Sequence, residues 1–197
     1  KLGCNAMRKL GTPGTYTEVQ TLVDLIHELR FDFVDFQLYR GFPSRETEFL
    51  LHLKQKCHRY GLPIGFVAPE GGFLGSVTTP QGTVIGVPLP TDELRITIAG
   101  AKDAVDVAVL MGAPLIRIFG GGVPDQSEDR DQLWQIVVSS FQEVADYARD
   151  KGVFIGLHNH APAVPPTGDD ILYLLQEVDR QNFTFILDNC QSSVHFM

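Results

Sequence analysis

The feature that most constrains this chain is a rhythm. A short apolar run ends in polar residues, a longer stretch with helical spacing follows, and the pair then repeats. Residues 2–7 read as a strand and 15–29 as a helix, with Thr15 or Thr17 as its cap and Val19, Leu22, Val23, Ile26 and Leu29 as its apolar stripe. Residues 33–38 form the next strand, and 45–60 a helix that Ser44 caps and Gly61 follows. A third strand spans 63–68, and the stretch 69–90, rich in Gly, Thr and Pro, reads as a long loop. Thr91 then caps a helix over 92–111. Strands at 115–119, 153–157 and 183–187 alternate with helices at 129–151 and 169–177. Six strands and five helices in strict alternation predict a parallel α/β sheet with helical crossovers.

Two architectures satisfy that rhythm, an open doubly wound sheet and a (β/α)8 TIM barrel. The first strand–helix turn lacks a Gly-x-Gly-x-x-Gly fingerprint, which counts against a dinucleotide-binding open sheet. A complete barrel takes about 250 residues. At 197 residues the chain reads as a single barrel domain, truncated after six strands and lacking the last two β/α units. An open barrel exposes a sheet edge, so a homo-oligomer or a partner chain covering it is expected.

Charge and composition narrow the function. The net charge is −8 and the sixteen Lys and Arg are scattered, which argues against a nucleic-acid partner. No apolar run approaches the ~20 residues of a membrane span. Three cysteines give no disulfide framework, so a reducing, cytoplasmic compartment is the default. The first residue is Lys, from which an N-terminal segment is inferred to have been removed.

In either architecture the chemistry gathers at the carboxyl ends of the strands. Those ends supply Asn5, Gln37, Arg40, Glu70, Arg117, His158, Asn159, His160, Asp188, Asn189 and Gln191, and the strand starts carry no comparable set. His158 and His160 are two apart on a strand, so both point to one face. Beside Asp188 of the neighbouring strand they make a divalent-metal half-site; the plainer reading is a hydrogen-bonded pair lining a pocket. Either imidazole also qualifies as a general base. Asp188 ends an almost wholly apolar strand, where a carboxylate needs a partner or else caps the next helix. Arg117 anchors a substrate oxygen or forms an internal salt bridge. Glu70 opens the 69–90 stretch and is a weaker candidate. The glycines at 71–72 and 120–122 are weak phosphate-cradle candidates.

These motifs resemble the xylose-isomerase-like (β/α)8 barrel superfamily of sugar isomerases, ketose 3-epimerases, inosose dehydratases and endonuclease IV-type enzymes. Ile155-Gly156-Leu157-His158-Asn159-His160 is similar to the fifth-strand motif (Ile/Leu)-x-Leu-Glu-Asn-His, and Leu187-Asp188-Asn189-Cys190-Gln191 to the sixth-strand motif Leu-Asp-x-x-His. Leu110-Met111-Gly112-Ala113-Pro114 and Thr167-Gly168-Asp169 also look like family segments. The resemblance implies a divalent ion (Mn2+, Mg2+, Co2+ or Zn2+) held by four side chains from strands five to eight. Asp188 matches the Asp ligand, and His160 the substrate-facing His. His158 stands where the family has its metal-binding Glu, and Gln191 where it has a His. The implied activity is isomerisation or epimerisation of a sugar or polyol by proton abstraction beside a carbonyl, with His158 or His160 moving the proton. Arg117, Glu70, Gln191, Asn5 and Gln37 would contact substrate. A related lyase or dehydratase, or a barrel that binds a sugar or a partner without turnover, is the alternative.

Overall fold

The computed structural model describes residues 2–6, 19–38, 42–78, 80, 82, 84–124, 129–160 and 163–188. Contacts group the chain into two compact units, Lys1–Glu70 with Asp103–Ile116, and Gly71–Lys102 with Arg117–Met197.

The first unit contains β1 (Gly3–Ala6), α1 (Val19–Glu28), β2 (Phe33–Gln37), α2 (Thr47–Arg59) and β3 (Ile64–Ala68). It also holds the later turns of α3 (Thr91–Met111) and the first two residues of β6 (Leu115–Gly121). Helix α1 buries Val19, Leu22, Val23 and Ile26, the expected i, i+3, i+4, i+7 stripe. Helix α2 buries Leu50, Leu53 and Cys57 in the same way. Its N-cap is Glu46, with no side-chain cap bond; Ser44 instead accepts from the Glu46 N–H at 3.0 Å. The helix therefore starts later than Ser44 suggested, because that hydroxyl satisfies a turn ahead of the first helical residue. Gly61 follows the C-cap at φ +65°, a left-handed geometry that costs a residue with a Cβ. The two helices are tied by Asp24, which accepts from Lys56 Nζ at 2.7 Å and Tyr60 Oη at 2.6 Å. Strands β1, β2, β3 and β6 pair in that order, all parallel.

The second unit contains β4 (Gly72–Thr78), β5 (Val84–Pro88), α4 (Arg130–Arg149), β7 (Phe154–His158), α5 (Gly168–Val178) and β8 (Phe183–Ile186), with the rest of α3 and β6. Here the sequence expectation is corrected: 69–90 is not an irregular loop. β4 pairs antiparallel with β5 and parallel with β6. The segment lacks a helical stripe because it is extended, and Gly72, Gly75 and Gly86 are packing positions. A Cβ on Gly72 would lie 2.5 Å from the Gly121 backbone nitrogen. Among the described residues the chain thus has eight strands and five helices; the two additional strands are β4 and β5.

Helix α4 is capped by Asp129, whose side chain accepts from the Gln132 N–H at 3.1 Å. It buries Val137, Phe141, Val144 and Ala148, and the Phe141 ring meets Phe73 and Phe183, each at 4.9 Å between centroids. Thr167 caps α5 by accepting from the Asp170 N–H. Asn182 donates to the carbonyls of Ala145 and Val153, which ties the start of β8 to α4 and to the approach of β7. β7 pairs with β6 and β8. In both units the parallel strands of the β/α rhythm pair in chain order. That is the order of a barrel and not of a doubly wound sheet, which reverses at a switch point.

The caps read at Thr15 or Thr17 lie outside the described residues, as do Arg40, Asn189, Cys190 and Gln191. No helix among the described residues is long and apolar enough to cross a membrane.

Candidate active site

The second unit gathers Arg117, Phe119, His158, His160 and Asp188. Strand alternation puts Arg117 and Phe119 on one face of β6, and His158 closes β7. Asp188 lies two residues past β8. His158 Nε2 is 3.5 Å from Asp188 Oδ2. The Phe119 ring touches three of the polar groups. It lies 5.2 Å from the His158 ring, 5.4 Å from the His160 ring and 5.0 Å from the Arg117 guanidinium carbon. The two imidazoles are 6.3 Å apart.

Electrostatics separate the two histidines. His158 is 5% exposed, and burial, reinforced by the Arg117 charge, pushes its pKa down from 6.5 to about 4; Asp188 opposes the shift only in part. The ring is therefore neutral at pH 7. Nδ1 is buried and has no hydrogen-bond partner among the described residues. An ion shared by the two residues would sit at Nε2, the nitrogen facing Asp188 Oδ2, and a 3.5 Å separation suits two donors on one ion. His158 and Asp188 thus fit a divalent ion as a partial donor set. Among the described residues no group of three His, Cys, Asp or Glu side chains completes it. His160 is exposed.

Asn5, Gln37 and Glu70 belong to the first unit. Asn5 is on β1, in register with Asp35. Gln37 ends β2, with a buried Oε1 that has no hydrogen-bond partner among the described residues. Glu70 is exposed. Gln191 lies outside the described residues. The glycines at 120–122 are filled by protein. A Cβ on Gly120 would meet Val164 at 2.7 Å, and the Gly120 N–H donates to the Val164 carbonyl at 3.0 Å, so backbone occupies the space a phosphate would need. Phe119 was missed by the sequence reading. Its signal was present: it stands two residues after Arg117 on one strand, at the strand's carboxyl end.

Sequential parallel pairing with polar side chains collected at strand ends defines a β/α-barrel architecture. The chain belongs to the xylose isomerase-like TIM barrel family, whose profile matches residues 23–195. Among solved structures it is similar to a xylose isomerase domain protein from Planctomyces limnophilus, with 21% identity and a TM-score of 0.69 over 96% of this chain and 62% of that one. It is also similar to a D-psicose 3-epimerase with D-tagatose from Clostridium cellulolyticum H10, with 17% identity and a TM-score of 0.74 over 100% and 66%. A family 2 AP endonuclease from Brucella melitensis gives 13% identity and a TM-score of 0.70 over 100% and 70%. At these identities the likeness is one of fold. The chain spans less than two thirds of the length of the first two. No curated protein sequence matches it.

Proposed function

We propose that the chain carries a divalent-metal-dependent sugar or polyol isomerase or epimerase site that works by proton abstraction beside a carbonyl. The observation that carries this reading is His158: buried, neutral at pH 7, with Nε2 3.5 Å from Asp188 Oδ2. Family membership and the likeness to a sugar 3-epimerase fold support it.

The residues divide the work. His158 and Asp188 would hold the ion, and its chemistry there is Lewis-acid polarisation of a substrate oxygen. A pKa near 4 makes His158 a poor base at neutral pH but an available lone-pair donor. His160, exposed beside the Phe119 ring, moves the substrate proton. Arg117, 8% exposed, pairs with the oxygen on which negative charge builds when the C–H bond breaks. Phe119 keeps the guanidinium near the imidazoles.

The test is exchange of a substrate C–H proton with D2O across a panel of ketoses, aldoses and polyols, with Mn2+ present. Exchange on at least one sugar, reduced ~100-fold or more in His160→Ala, is the expected result. Sugar binding without exchange on any of them would establish a binding barrel in place of an enzyme.

A further inference from the structure

The chain that carries His160 leaves the sheet after His158, the last residue of β7. It returns at Ala163 and Val164, which pair with the end of β6. Ala163 forms an antiparallel bridge with Gly122. The Val164 N–H donates to the Gly121 carbonyl at 2.8 Å, and the Val164 carbonyl accepts from the Gly120 N–H at 3.0 Å. Val164 is fully buried. β6 therefore acts twice. It presents the Phe119 ring, 5.4 Å from the His160 ring, and its next residues fix the far end of the His160 segment. The near end is fixed by the β7–β8 ladder, which runs to His158↔Ile186. A segment pinned at both ends loses fewer conformations when His160 meets the ring than one pinned at a single end.

Close approach is what glycine supplies at 120. A Cβ there would lie 2.7 Å from Val164 Cγ1, 2.8 Å from Val164 Cβ and 3.1 Å from the Val164 carbonyl oxygen, so one side has to move. β6 is the less free of the two. β4 pairs with it at Gly72↔Phe119 and Leu74↔Gly121, and a Cβ on Gly122 would lie 2.7 Å from the Gly75 carbonyl oxygen. The displacement therefore falls on Val164 and on the segment it anchors. We infer that Gly120 is a positioning residue: by admitting Val164 against β6 it holds the His160 segment where the imidazole meets the Phe119 ring. The step from that contact to catalysis rests on the reading of His160 as the group that moves the substrate proton. A glycine that served packing alone would cost stability when replaced and leave the ring contact in place.

The experiment is a substitution cycle on the full chain: wild type, Gly120→Ala, Val164→Gly and the double variant. NOEs between the Phe119 and His160 rings, at one fixed neutral pH without metal, read the contact. Gly120→Ala is expected to lose them. Val164→Gly is expected to keep them, because the backbone bonds remain. The double variant is expected to regain them, because the Val164 Cβ and Cγ1 that obstruct the added methyl are gone. A folded Gly120→Ala that keeps the NOEs, or a folded double variant that does not regain them, overturns the inference. If Gly120→Ala does not fold, wild type decides. Slow solvent exchange of the Gly120 and Val164 amides together with the NOEs supports the clasp, and fast exchange or absent NOEs overturns it. D2O exchange over the sugar panel with Mn2+ is expected to fall about 100-fold in Gly120→Ala and to recover in the double variant. Exchange at the wild-type rate after the NOEs are lost would overturn the link from clasp to catalysis. A wild type that exchanges no sugar proton would remove the enzymatic reading, and the NOEs would still decide the clasp.

Discussion

His158 concentrates what is unusual about this site. A histidine whose folded pKa lies near 4 while its ordinary value is 6.5 binds its proton more readily when unfolded. Between those values the unfolded chain holds more protons, so stability rises with pH across about pH 4 to 6.5 and is flat with respect to this group above it. A shift of this size corresponds to roughly 3 kcal/mol at most. His158→Asn should therefore lose less stability than wild type when the pH falls from 7 to 4.5; urea denaturation at several pH values measures the difference. The same residue governs metal binding. Metal content of purified protein should drop in His158→Ala, and an unchanged stoichiometric content would remove it as a ligand. Asp188→Asn should weaken Mn2+ binding more than Gln191→Ala does, because only a carboxylate brings charge to the ion; the reverse order would count against the motif alignment. At this scale the sequence was informative about position and less so about role. His158, Asp188 and Arg117 could be picked out at strand ends. That His158 is a lone-pair donor and a poor base depended on burial and on Arg117, neither of which is encoded locally.

The elements divide in the same way. Helices α1, α2, α4 and α5 could be read from their stripes because 3.6-residue periodicity is a local consequence of burying one face. Strands β4 and β5 could not, because their composition is that of turns and the other partner of β4, β6, is distant in sequence. Two glycine substitutions separate backbone conformation from close approach. Gly121 has φ +113° and a site where an added Cβ would fall against the Leu74 backbone, so Gly121→Ala should cost about 3 kcal/mol or more. Gly61 has φ +65° and open space, so Gly61→Ala should cost about 1 kcal/mol. Equilibrium unfolding compares them; equal costs would mean that the packing of β4 on β6 is not what requires glycine at 121. Thr167→Ala removes the α5 cap, which also donates to Asp170, and should cost about 1 to 2 kcal/mol by the same assay.

For the whole molecule, ligand linkage gives the broadest test. An ion that binds only the folded chain stabilises it by about 2.7 kcal/mol at a hundredfold excess over Kd. For a chain of this size that is a rise in Tm of about 5–10 °C. Mn2+ should produce such a rise in wild type and little in Asp188→Asn, read by thermal denaturation with a chelator control. The sequence by itself determined the β/α rhythm, the family and the strand ends where polar residues collect, because each follows from periodicity or from short contiguous motifs. Only the tertiary structure decided that 69–90 pairs as strands and that the 120–122 glycines are filled by backbone. It also decided that Phe119 lies among Arg117, His158 and His160, and that His158 stays neutral beside Asp188. Those outcomes depend on residues far apart in the chain meeting in space, where burial and distance set the energies.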